Sequence, residues 1–376
     1  MSAVPSNPWL PDTQRVRRVG LAIVLAVVAA LACQALRTPI PWMIGPLLCT
    51  AVASVLGAPL ASSRRLRDVG QWLIGTVLGL YFTPQVVALV LSHAAAIVLG
   101  IVWALLLGLA FGAFLRRANP HVGAAARLRI DPATVFFASA IGGASEMSLL
   151  AERRGARVDL VVAAHSTRVL LVVLLIPFGF QWAGVHGLDA TLTATQDVRP
   201  VALALLLALT LAGSLAMAAW HRPNPWMLGA LAVAFALTAA GVELSALPRP
   251  LTNAAQLLIA ISLGTRFTPQ FVRAAPRWVA TVALGTLVMI AACAGFAWLL
   301  AWGTGLHPAT LMLGTSPGGI AEMCITAKVL QLGVPIVTAF HVTRLAAVLL
   351  LADRLYGWTV RAPPGATGST SRPPPH

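Results

Sequence analysis

Two glutamates stand alone in otherwise apolar stretches of the chain, and each has the same neighbours. Glu146 follows the glycine pair Gly142-Gly143, and Glu322 follows Gly318-Gly319. Nineteen residues after each glutamate comes a His-x-Thr-Arg tetrad: His165, Thr167 and Arg168, then His341, Thr343 and Arg344. A glycine pair is a place where a helix breaks and backbone approaches a ligand closely. The residues behind it, beginning with Ser145 in the first copy, would start a short helix whose free N–H groups favour an anion. A carboxyl group inside a bilayer costs about 2.5 kcal/mol or more, so it faces a cavity and marks an ion or proton path. Histidine and arginine at i, i+3 share a helical face. A guanidinium there is a bidentate receptor for a carboxylate, and an imidazole titrates near neutral pH. The competing structural reading is that the glycines serve close helix packing. Each arginine would then pair internally with a glutamate, and each histidine would be a satisfied hydrogen-bonder.

A secondary pair of sites is Phe82-Thr83-Pro84-Gln85 and Phe267-Thr268-Pro269-Gln270. Proline removes a helix hydrogen bond, so each stretch kinks or stops there. Thr83, Gln85, Thr268 and Gln270 then offer polar groups, either to a ligand or simply to a helix terminus.

The elements that must position these residues are membrane helices. Of 376 residues, 58% are hydrophobic and 10% charged, against about 25% charged in a soluble domain, which excludes a soluble enzyme. Crossing about 30 Å of hydrocarbon takes roughly 17–25 residues. Stretches of that kind lie near 19–36, 40–60, 69–91, 93–115, 157–180, 200–220, 225–246, 252–272, 277–302 and 334–356. Segments 131–154 and 307–330 differ, since each is interrupted by its glycine pair. The halves repeat. Pro41-Trp42-Met43 returns at Pro225-Trp226-Met227, Phe82 at Phe267, Gly142 at Gly318 and His165 at His341, in unchanged order. The expected fold is therefore an all-α polytopic membrane protein of two inverted repeats, each with about five transmembrane helices and one re-entrant or discontinuous helix. Residues 1–18 and 361–376 are expected to be disordered, 19–180 and 200–360 to be the repeats, and 181–199 a linker.

Charge decides the orientation. If both broken segments turn back on the side they came from, 20 Lys and Arg residues lie in the cytoplasm and 4 outside (Arg37, Arg199, Arg249, Lys328). If both cross, the split is 15 to 9. The first arrangement obeys the positive-inside bias far better and gives an inner-membrane protein with a cytoplasmic N-terminus. The basic excess sits between apolar runs, which argues against nucleic acid. Cys33, Cys49, Cys293 and Cys324 lack CxxC spacing, and the histidines lack metal-ligand spacing, so neither a metal nor a cofactor is expected.

The doubled Phe-Thr-Pro-Gln, Gly-Gly-x-x-Glu-Met and His-x-Thr-Arg motifs resemble the bacterial AbrB-type membrane protein family, which has an internal duplication. Members carry labels such as regulator of gene expression and ammonia monooxygenase, and these residues lead to neither. The inverted halves also look like inverted-repeat secondary transporters. The expectation is a non-enzymatic carrier for a small organic or amino-acid-like anion, coupled to H+ or Na+; the alternative is a membrane protein acting indirectly in the regulation of gene expression, and behind it a membrane monooxygenase. The carrier's partners would be the lipid bilayer, the solute and, as a candidate, a second copy in a homo-oligomer.

Overall fold

The computed structural model describes residues 13–119, 130–185, 187, 197–242, 244–269 and 275–359. Among them are fifteen α-helices and no strand: α1 (Thr13–Ala35), α2 (Pro41–Val55), α3 (Arg64–Gly79), α4 (Pro84–Ser92), α5 (Ala94–Ala118), α6 (Pro132–Ser139), α7 (Ala144–Arg153), α8 (Val158–Trp182), α9 (Pro200–Ala219), α10 (Pro225–Ala239), α11 (Arg249–Gly264), α12 (Pro276–Thr304), α13 (Pro308–Thr315), α14 (Ile320–Val329) and α15 (Val334–Thr359). Seven of them open on proline, whose fixed φ and missing N–H suit the first helical position. Six helices, α1, α5, α8, α9, α12 and α15, are long and apolar enough to cross a membrane. This is a multi-pass membrane protein.

The remaining apolar stretches behave differently from single straight spans. Stretches 40–60 and 225–246 become 15-residue helices, only about 22 Å long. Each stops just before a glycine of positive φ, Gly57 at 88° and Gly241 at 76°. Stretch 69–91 becomes α3 and α4, bent by 87° ahead of Pro84. Stretch 252–272 ends its helix at Gly264. Residues 13–18, expected to be disordered, form the start of α1.

The helices gather into two bodies. In the first, α3 packs on α10, α2 on α11, α1 on α2 and α9 on α10. In the second, α5 packs on α12, α8 on α12, α5 on α15, α6 on α8 and α13 on α15. Close approach in the first body depends on glycine: a Cβ on Gly75 of α3 would collide with the Met227 backbone of α10. Between the bodies α3 packs on α14 and α15, α4 on α15 and α2 on α8, and one hydrophobic cluster runs through both, joining Met43, Leu73 and Met227 of the first to Val172, Met323 and Val337 of the second.

Hydrogen bonds at the helix ends fix directions in the second body. The end of α5 meets the start of α12, where Arg277 donates to the Ala118 carbonyl at 3.3 Å and Asn119 to Thr281 at 3.2 Å. Trp103 stacks on Phe296 farther along the same antiparallel pair. The start of α12 meets the start of α8, through Trp278 Nε1–H donating to the Leu160 carbonyl at 3.1 Å. The start of α8 meets the end of α15, through Arg154 with Asp353 at 2.9 Å and Arg154 over the Tyr356 ring. All four ends therefore share one side of the bundle, and α6–α7 leaves and returns on that side. At the other side Gln181, at the end of α8, donates to the Arg37 carbonyl at 2.9 Å, and Gly187 donates to the Leu330 carbonyl beyond α14 at 3.0 Å. Exposed tryptophans mark helix ends on both sides, with Trp182 (α8), Trp302 (α12) and Trp358 (α15) each more than three-quarters exposed.

Candidate functional site

Both glycine pairs break a helix. α6 ends at Ser139 and α7 begins at Ala144; α13 ends at Thr315 and α14 begins at Ile320. The capping glycines, Gly143 and Gly319, have extended backbone, so a positive φ is not what requires glycine here. What lies over each is the end of a flexible side chain, so a Cβ there would displace the carboxylate from the cap and not the backbone. A Cβ on either would collide with Oε2 of the glutamate three residues on. Each carboxylate is folded over the N-cap of its own helix, the N3 position from which a glutamate reaches back to the cap.

Each histidine and arginine holds its hairpin by backbone. His165 Nε2 lies 2.9 Å from the Phe137 carbonyl, and His341 Nε2 lies 2.9 Å from that of Leu313. The Nδ1 atoms face guanidinium Nη2, of Arg168 at 2.8 Å and of Arg344 at 2.9 Å. A guanidinium only donates, so Nδ1 accepts and Nε2–H donates: both imidazoles are neutral and of one tautomer. Arg168 adds a bond to the Ala140 carbonyl at 3.2 Å. Arg344 makes two such bonds, to Ser316 at 2.6 Å and Gly318 at 2.8 Å. Among the described residues neither arginine forms an ion pair with a glutamate. The pairing is with carbonyls freed by the break, which need donors because lipid offers none.

The two copies are unequal. Arg344 is held by three bonds and Glu322 is 7% exposed. Arg168 is held by two, its Nε–H has no partner, Glu146 is half-buried and Ser145 is exposed. Thr343 bonds back to the Ala339 carbonyl at 2.6 Å, whereas the buried hydroxyls of Ser166 and Thr167 have no partner.

The breaks lie close together. A Cβ on Gly318 would come 3.0 Å from Val172, one turn beyond Arg168 on α8, and Arg168 feels the charge of Arg344. Arg266, in the turn after α11, joins this group, with its charge reaching Glu146, Glu322 and His165. Sequence reasoning passed over it. The signal was its place directly before Phe-Thr-Pro, matching Tyr81 in the first half, whose ring lies under Lys328 at 6.0 Å. The secondary motif stops helices as expected: Thr83 caps α4, accepting from Val86 N–H at 3.4 Å. Gln85 and Thr268 are exposed, and Gln270 lies outside the described residues.

Fold and site thus define a class: an all-helical, multi-pass membrane protein with two glycine-broken hairpins latched by paired His and Arg residues. The chain belongs to the AbrB family, described as "Transition state regulatory protein AbrB", matching it over residues 42–359. It is 28% identical over 341 residues to the "Uncharacterized protein YhjN" of Bacillus subtilis, covering 84% of this chain and 86% of that one. It is 25% identical over 334 residues to the "Putative regulator AbrB" of Escherichia coli, covering 88% and 93%.

Proposed function

We propose that this protein is a secondary transporter, not an enzyme, carrying a small organic or amino-acid-like anion coupled to protons or sodium. It works by alternating access at a midplane site, in the bacterial inner membrane, without nucleic acid, metal or cofactor. The observation that carries this reading is the unequal pair of hairpins. Each holds a carboxylate beside a helix N-terminus, one half-buried and loosely latched, the other buried and tightly latched. That is what one of two alternating states of a duplicated carrier would look like. The antiparallel meeting of repeat counterparts, α5 with α12 and the start of α8 with the end of α15, supports inverted halves. Orientation follows from charge: the end carrying Arg116, Arg117, Arg154, Arg157, Arg277 and Arg354 would face the cytoplasm, as would the N-terminus.

The test is uptake into liposomes containing the purified chain, from a mixture of small carboxylates and amino acids, read by mass spectrometry. Uptake should follow an imposed pH or sodium gradient and collapse when an ionophore dissipates it. Glu146→Gln and Glu322→Gln should each stop it with unchanged protein in the vesicles. Gradient-independent vesicle contents, or full uptake by both variants, would overturn the reading.

The name of the Escherichia coli relative favours a second reading, an indirect role in regulating gene expression. A transport-dead Glu322→Gln variant that restores a deletion phenotype in full would favour it over the carrier.

A further inference from the structure

Glu146 occupies the position where an anion would bind. It is the third residue of α7, a ten-residue helix, whose first N–H groups have no intrahelical partner. Its carboxylate lies over the capping Gly143, where a Cβ would come 2.9 Å from the carboxyl carbon. A second feature points to a ligand at the same break. Arg168, 2% exposed, is turned into it through the Ala140 carbonyl, and its Nε–H is buried without a partner. A buried donor left unmade is costly and rare in a native structure. In the second hairpin no atom of Arg344 or Thr343 is left in that condition among the buried polar atoms. Ser145, on the first turn of α7, is exposed, while its counterpart Ala321 is buried. The first N-terminus is therefore the more open of the two.

We propose that a small carboxylate binds at the first hairpin by displacing Glu146 from the N-terminus of α7, between the free amides of Ala144–Glu146 and the Nε–H of Arg168. Two carboxylates cannot share one helix end, so the solute binds only after Glu146 is neutralised, by a proton taken from water or by a cation. Coupling then needs no separate ion path: the coupling ion removes the chain's own anion, and the solute replaces it. This consequence for coupling rests on the carrier reading; the binding site itself does not. The charge of Arg266, beyond α11, reaches Glu146; the other charged and titratable groups on the elements packed against α7 are Asp159, His165 and Arg168 on α8 and Asp131 ahead of α6, with Glu152 and Arg153 at the far end of α7 itself. His165 is fixed as a neutral donor, and Arg168 and Arg266 remain cations, which leaves Glu146 as the group whose charge change admits the solute.

Acetate is the apt probe, because it copies the end of the side chain it would replace. Its binding to the full chain in detergent is measured by thermal shift against sodium chloride at matched ionic strength, from pH 5.5 to 8. In the wild type the apparent affinity should fall as pH rises, by up to tenfold per unit. Glu146→Gln should abolish that slope and bind at least tenfold tighter than wild type at pH 8, while Glu322→Gln keeps the wild-type slope. Equal affinities for Glu146→Gln and wild type at pH 8, or the same gain from Glu322→Gln, would overturn the proposal. A second measurement does not depend on the folding of Glu146→Gln. In Ser145→Cys, acetate should slow maleimide labelling more at pH 5.5 than at pH 8, and no protection at either pH overturns the site. Uptake by liposomes without acetate binding removes the displacement and leaves the carrier. Acetate binding without uptake of any anion supports the site and removes the carrier.

Discussion

Replacing Arg344 by leucine should destabilise the protein more than the matching change at Arg168, and the hydrogen bonds say by how much. Arg344→Leu orphans three buried acceptors, the carbonyls of Ser316 and Gly318 and Nδ1 of His341. Arg168→Leu orphans two, the Ala140 carbonyl and Nδ1 of His165, over a longer carbonyl bond. Each buried acceptor left unmade costs about 1–3 kcal/mol. Removing a buried charge returns part of that cost in both variants, so the difference is firmer than either total: one acceptor, about 1–3 kcal/mol. At about 2 °C per kcal/mol for a chain of this size, Arg344→Leu should unfold about 2–6 °C below Arg168→Leu. The assay is apparent thermal unfolding in one detergent, at one scan rate, with both variants purified alike. A lower midpoint for Arg168→Leu would refute the inference that the second hairpin is the tighter of the two.

Other outcomes follow from the same geometry. His341→Phe removes the donor to the Leu313 carbonyl and should cost about 1–3 kcal/mol, read as a lower unfolding midpoint. In a background without the four native cysteines, Asn119→Cys and Arg157→Cys should label from the same face of the membrane, and His307→Cys and Lys328→Cys from the opposite one; labelling of Asn119→Cys and Arg157→Cys from different faces would disprove the return of the first hairpin. Gly75→Leu should sharply reduce folded protein on a size-exclusion profile, because its Cβ meets the backbone of Met227. Asp159→Asn, by contrast, breaks only an exposed pair with Arg157 and should shift stability by less than about 1 kcal/mol.

Local chemistry made much of this legible in advance. Gly142-Gly143 and Gly318-Gly319 announced breaks, against the competing reading of close helix packing, because each pair recurs ahead of a glutamate in an apolar stretch. Pro84 announced the corner between α3 and α4 for the same kind of reason. What the sequence withheld was partnership. A guanidinium three residues from a histidine reads equally well as a receptor for a solute, a partner for Glu146 or a cap for stray carbonyls; tertiary packing shows the last, at Ala140, Ser316 and Gly318, and leaves only Arg168 with a spare buried donor. The brevity of α2 and α10 was hidden because alanine- and leucine-rich residues continue past Gly57 and up to Gly241 without a drop in hydrophobicity; the left-handed turn, not polarity, stops them. Arg266 escaped notice because it lies inside the apolar stretch 252–272, and only the end of α11 at Gly264 and the turn after it bring its charge to the glutamates.

The tryptophans at the rims have a mechanical meaning. Indole rings favour the boundary between headgroups and hydrocarbon, and the exposed Trp182 and Trp302 stand at one end of the helix bundle while Trp358 stands at the other, where each would meet such a boundary. A piston-like excursion of the hairpin body along the membrane normal would drag rings out of both boundaries at once. Tilting or turning about an axis in the plane leaves them near their preferred depth. The architecture is therefore anchored against vertical travel, and quenching of its fluorescence by lipids brominated at different depths should stay nearly constant while the rest of the molecule moves.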